Sequence, residues 1–167
     1  MEKSVHDRCK DKEALSAAMN DLLRLDEDYV FVKDANLIYL ASSEAFARMT
    51  GRRSAAEVAG KTDYDLFPRD IADKYRADDK LVLEEGRSFE GIVERLPEEQ
   101  GRERWTKTWK RPVRDEAGNV IGVYAIGRDI TRVMDLEAEA QTARKYIDII
   151  SRLPGGIGII HESGGEV

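Results

Sequence analysis

Apolar and polar positions follow three different rhythms along this 167-residue chain. Near the start, Leu15, Met19 and Leu22 recur at spacings of four and three, with Ala18 and Leu25 beside them. That spacing predicts a helix with one apolar face over residues 4–25. Tyr29-Val30-Phe31-Val32 and Leu37-Ile38-Tyr39-Leu40 are strand-like runs on either side of the polar turn Lys33-Asp34-Ala35-Asn36, which predicts a hairpin. Ser42 or Ser43 offers an N-cap to a helix running through Phe46 and Met49, and Gly51 supplies a left-handed stop. Residues 54–60 fit a short capped turn. Gly60-Lys61-Thr62-Asp63-Tyr64-Asp65-Leu66-Phe67-Pro68 reads as a polar turn feeding a short helical segment, which Pro68 ends or restarts. A longer helix follows to about Glu85, with Ile71, Tyr75, Leu81 and Val82 on its buried side and Gly86 closing it. Three strands are then expected at 88–96, 104–113 and 120–127, the last two joined by the turn-forming run Arg114-Asp115-Glu116-Ala117-Gly118-Asn119.

Two strands, a helical excursion and three further strands favour an α+β fold with one antiparallel sheet and helices packed on one face. From Arg132 the rhythm becomes a heptad. Val133, Leu136, Ala140, Ala143, Ile147 and Ile150 alternate spacings of three and four, as the seam of a left-handed coiled coil does. The same stripe would also serve a helix packed on its own domain. Leu153-Pro154-Gly155-Gly156 ends this helix, and Ile157-Gly158-Ile159-Ile160-His161 reads as a strand entering a turn.

Composition narrows the functional classes. Apolar residues make up 41% of the chain and charged residues 36%, enough for a core together with long solvated helix faces. The net charge of −6 argues against nucleic acid and against anionic membrane surfaces as partners. No apolar run approaches the ~18 residues of a membrane span, and Met1 to Asn20 lacks the apolar core of a signal peptide. Cys9 is the single cysteine, so the default setting is cytoplasmic, although a longer parent protein could be anchored elsewhere.

Taken in order, Ile38-Tyr39-Leu40-Ala41-Ser42-Ser43-Glu44-Ala45-Phe46, Gly51, Gly60 to Pro68, the strand pair around Trp105, Trp109 and Pro112, the Gly118-Asn119 turn and the terminal Asp129-Ile130-Thr131 resemble the PAS domain, a sensor fold of bacterial signalling proteins. Ser43 stands where that family often carries asparagine. The resemblance covers residues 26–131 and implies a five-stranded antiparallel sheet flanked by N-terminal and C-terminal helices. It divides the chain into an N-terminal helix (1–25), a PAS sensor domain (26–131), a helical linker (132–152) and the start of a second PAS domain (153–167).

The resemblance implies a regulatory module, not an enzyme, that binds a small ligand or mediates dimerisation. Its signal would pass through the exit helix to an output domain, a diguanylate cyclase in preference to a histidine kinase. The competing reading is a ligand-free structural dimerisation module. Pocket candidates are Phe46, Met49, Leu66, Phe67, Tyr75, Trp109 and Tyr124, each of which would equally serve as core. Trp105 and Trp109 share a strand face, so both point in or both point out. Asp129, Ile130 and Thr131 are the expected signal-transfer joint, where a carboxylate or hydroxyl satisfies amides at a helix start. The seam Val133, Leu136, Ala140, Ala143, Ile147 and Ile150 would hold a homodimer. The cofactor is not identified by these residues. His6 and His161 both lie outside the sensor core, which argues against a histidine-ligated haem, and the absence of cysteine from that core argues against thiol-adduct flavin chemistry. No metal site is expected: Asp63, Asp65, Asp70, Asp73, Asp78 and Asp79 fit no calcium loop and read as a solvated helix face.

Overall fold

A computed structural model describes residues 27–152, together with Ala17, Met19, Asp21 and Leu23, which are helical. The rest of the expected N-terminal helix and the expected strand beyond Leu153 lie outside the described residues. Residues up to Thr131 form one compact unit and those from Arg132 a second.

In the first unit, β1 (Asp28–Asp34) and β2 (Tyr39–Ser42) form the hairpin. Three helices follow, α1 (Glu44–Met49), α2 (Asp63–Leu66) and α3 (Arg69–Glu85), with a single 3-10 turn at Ala55–Glu57 between the first two. The chain then runs through β3 (Phe89–Glu99), β4 (Arg102–Arg114) and β5 (Val120–Asp129). One antiparallel sheet results, in the order β2-β1-β5-β4-β3. The first and last strands pair at its centre, Asp28 opposite Arg128 and Asp34 opposite Gly122. Chain entry and chain exit are thereby side by side.

Local chemistry explains the joints. Ser43 Oγ accepts from Phe46 N at 3.1 Å, capping α1, and also accepts from Val30 N and donates to the Asp28 carbonyl. Gly86 ends α3 at a φ of 62°, the left-handed region that a side chain disfavours. Gln100 and Gly101, both at positive φ, turn β3 into β4, a tight hairpin that the expected strand ends at Leu96 and Arg104 left open.

Strand alternation sorts the sheet's two faces. Phe31, Lys33, Thr106, Thr108, Lys110, Val123 and Ala125 are buried on the helix-covered side. There Phe31, Tyr39, Phe46, Val58, Leu66, Phe67 and Ala72 make the main core, with Met49, Ile71 and Tyr75 packed against it. Consecutive ring contacts link Phe31, Phe46, Phe67 and Tyr75 at centroid separations of 5.0–6.1 Å. On the other side, Val30, Val32, Tyr124 and Ile126 line an apolar groove with Met19 and Leu23.

One expectation fails inside this core. Lys33 is not a turn residue; it belongs to β1 and is 1% exposed. Asp63 and Asp79 are likewise fully buried, not part of a solvated face. The reason is mutual: each charge is taken out of water only because the others receive it.

The second unit is the helix α4 (Thr131–Ser151), whose first residue, Thr131, is still part of the first unit. It carries all six positions of the expected seam, and Val133, Leu136, Ile147 and Ile150 are exposed. Among the described residues no helix is long and apolar enough to cross a membrane.

Candidate functional site

The inner face of the sheet holds a chain of buried charges. Lys33 Nζ donates to both carboxylate oxygens of Asp63 (2.6 and 2.8 Å) and to Asp79 Oδ2 (2.6 Å). The Tyr39 hydroxyl donates to Asp63 Oδ1 at 2.9 Å, and the Lys33 ammonium stands over the Tyr39 ring, 4.5 Å from its centroid. Asp79 Oδ1 lies 3.2 Å from Lys110 Nζ, which also faces Glu94 Oε1 at 3.2 Å and Asp78 Oδ2 at 3.6 Å. Burial alone would raise the Asp79 carboxyl, yet the two ammonium groups outweigh it and hold it below its ordinary value. Burial opposes the charge on Lys110 too, and there Asp79, Glu94 and Asp78 prevail and raise it. At Glu94 burial wins: its carboxyl is pushed above the ordinary value against the pull of Lys110.

This chain of charges borders a cavity of about 30 Å³ between sheet and helices. Phe46, Met49 and Tyr75 line it from the helices, and Tyr29, Tyr39, Glu94, Thr106, Thr108, Lys110 and Gly127 from the strands. A Cβ at Gly127 would come within 2.9 Å of Thr106 Oγ1, too close to fit unless that side chain shifts. The volume suits one or two water molecules as it stands. A polar recess of about 260 Å³, lined by Glu27, Tyr29, Ala45, Arg48, Met49, Glu99 and Arg104, adjoins it and shares only Tyr29 and Met49 with it.

Tyr29 has a second role. Its hydroxyl donates to Asp129 Oδ2 at 3.0 Å, and Arg104 donates to the same oxygen at 2.9 Å. Asp129 Oδ1 accepts the Thr131 amide at 2.9 Å, and Thr131 Oγ1 accepts from the Trp105 amide at 3.0 Å. Burial would raise the Asp129 carboxyl, but the bonds from Thr131, Arg104 and Tyr29 hold it below its ordinary value. Burial, aided by the Asp129 charge, pushes the Tyr29 phenol up to about 12, so it is a donor at neutral pH.

The pocket candidates divide three ways. Phe46, Met49 and Tyr75 line the cavity. Leu66 and Phe67 are core residues that do not reach it. Trp109 and Tyr124 belong to the opposite face: Trp109 pairs with Ile126, whereas Lys110 pairs with Ala125, so parity sends Trp109 and Tyr124 outward. Of the joint residues, Asp129 and Thr131 bond to each other, and the Ile130 amide donates to the Trp105 carbonyl. Sequence reasoning missed Lys33, Asp63, Asp79, Glu94, Lys110 and Tyr29. The inward parity shared by Tyr29, Phe31 and Lys33 was the available signal.

A family profile described as the PAS fold matches residues 23–134. A diguanylate cyclase of Vibrio cholerae is 29% identical over 112 residues, covering 66% of this chain and 35% of that protein. Among solved structures, a VqmA–ligand–DNA complex of Vibrio cholerae superposes with a TM-score of 0.60 at 24% identity, covering 68% of this chain and 51% of that one. A PAS domain from Colwellia psychrerythraea superposes at 0.57 with 16% identity, covering 71% and 98%. The chain thus spans about a third of the cyclase and about half of VqmA. The expectation that nucleic acid is excluded as a partner is corrected here, because a protein containing this fold is solved on DNA. A net charge sums over the whole chain and reports neither a local patch nor a neighbouring domain.

Proposed function

Since the chain belongs to the PAS fold family, we propose that it is a sensory module that reads a small molecule in its inner cavity and hands the result to α4. The observation that carries this reading is the double role of Tyr29, whose ring lines the cavity while its hydroxyl holds Asp129. Asp129 in turn holds the first amide of α4. A ligand that moves the Tyr29 ring changes the acceptor at a helix start, where such a cap stabilises by ~1 kcal/mol. A change of ~1 kcal/mol shifts a two-state equilibrium about fivefold.

Two copies pair along Val133, Leu136, Ala140, Ala143, Ile147 and Ile150, so a changed helix start is felt by whatever follows. The domain division 1–25, 26–131, 132–152 and 153–167 belongs to this proposal. The output is a diguanylate cyclase, a choice supported by the 29% identical relative.

Native mass spectrometry of the purified chain, with an absorption spectrum, tests the cavity. Added mass of a small molecule that is lost in Gly127→Ala supports the sensor. A bare dimer in both favours a second reading, a ligand-free dimerisation module, for which the small volume of the cavity speaks.

A further inference from the structure

Counted in heptads with Val133 at the first position, a, the helix α4 carries its apolar seam at a and d and its flanks at e and g. The charged flanks are Arg132 and Glu139 at g, and Glu137 and Arg144 at e. All four side chains are exposed. Among the described residues none of them makes an ion pair along its own helix, where Arg152 already engages Asp148. The seam beside them is equally open, with Val133, Leu136, Ile147 and Ile150 all exposed.

These charges complement a second copy of themselves in one direction better than in the other. In a parallel, in-register pair each g position faces the e position of the next heptad on the partner helix. Arg132 then meets the partner's Glu137, and Glu139 meets the partner's Arg144. Two-fold symmetry repeats both pairs, so every charged flank lies opposite its countercharge. The remaining g–e pair, Tyr146 with Ser151, is neutral. An antiparallel pair aligned on the same seam sets Val133 against the partner's Ile150 and couples e with e and g with g. Glu137 still meets the partner's Arg144, but Glu139 faces the neutral Tyr146 and Arg132 has no acidic counterpart. The apolar positions lean the same way: β-branched Val133 and Ile147 at a, with Leu136 at d, suit two parallel strands, and Ile150 at d is the exception. Exposed ion pairs of this kind add little affinity each, so their effect is on direction and choice of partner.

Resting on the dimer seam proposed above, we propose that α4 pairs with a second copy of this chain as a parallel, in-register coiled coil, its direction fixed by Arg132–Glu137 and Glu139–Arg144 pairs between the copies. The two helix starts, each held by its own Asp129, then lie at one end of the rod. Whatever follows Ser151 in the two copies emerges side by side at the other end. Two variants of the full chain, both keeping its composition and net charge, test the direction. Arg132→Glu with Glu139→Arg exchanges the g charges, and Glu137→Arg with Arg144→Glu exchanges the e charges. Each variant alone sets like charges opposite one another and dimerises about tenfold more weakly than the parent in sedimentation equilibrium. An equimolar mixture of the two restores every pair and returns the parent's affinity. An antiparallel pair gives the reverse result, because e still matches e within each variant and clashes only in the mixture. Variants that dimerise as tightly as the parent, or a weakening that mixing does not repair, overturn the parallel assignment while leaving the seam. A parent chain that stays monomeric at high concentration removes the seam itself, and this proposal with it.

Discussion

Asp79 is the residue on which the buried charges depend, because among the described residues it alone touches both Lys33 and Lys110. Burying these ions costs desolvation that their attraction only partly offsets, so the network specifies an arrangement more than it adds stability. Breaking it is another matter. Asp79→Asn leaves two buried ammonium groups short of countercharge and should cost ~3–5 kcal/mol in urea unfolding. Its pH dependence has a definite sign. The folded carboxyl titrates below its ordinary value, so the stability it contributes is present above ~pH 3.9 and drains away as the pH falls further. The stability gap between parent and Asp79→Asn should therefore be widest near neutrality and close below pH ~4; a gap independent of pH would show that the carboxylate charge is not what matters.

Among the elements, the β1–α1 corner shows how one hydroxyl joins a strand to a helix. Ser43 Oγ serves Phe46 N, Val30 N and the Asp28 carbonyl at once, from a fully buried position. Ser43→Ala strands those groups and should lower stability by ~1–3 kcal/mol, with hydrogen exchange at Val30 and Phe46 accelerating first. This corner was legible beforehand to within one residue, since a serine ahead of an apolar helix is a local signal. So were the strands and α3, whose apolar spacing and closing Gly86 need no distant partner. The buried charges were not. Lys33, Asp63, Asp79 and Lys110 are scattered over 78 positions of the chain and each alone reads as a solvent residue. Only the sheet brings β1 and β4 against α2 and α3. Trp109 and Tyr124 were misjudged for a simpler reason: hydrophobicity says that a strand residue is buried, but a shift of one position decides on which face.

At the scale of the whole molecule, the account joins a cavity to a helix start and a helix start to a partner chain. Leu136→Glu with Ile147→Glu places charge in the proposed seam and should weaken the dimer at least ~100-fold in sedimentation, with the sheet's circular dichroism unchanged. A parent chain that is already monomeric at high concentration would remove the seam from the account. The coupling itself is tested most directly by hydrogen exchange at residues 130–136 in the parent chain and in Tyr29→Phe, which keeps the ring and deletes only the hydroxyl that holds Asp129. Loss of that bond should speed exchange there about threefold or more while the centres of β4 and β5 stay protected. Identical exchange in the two proteins would mean that Tyr29 carries nothing from the cavity to α4.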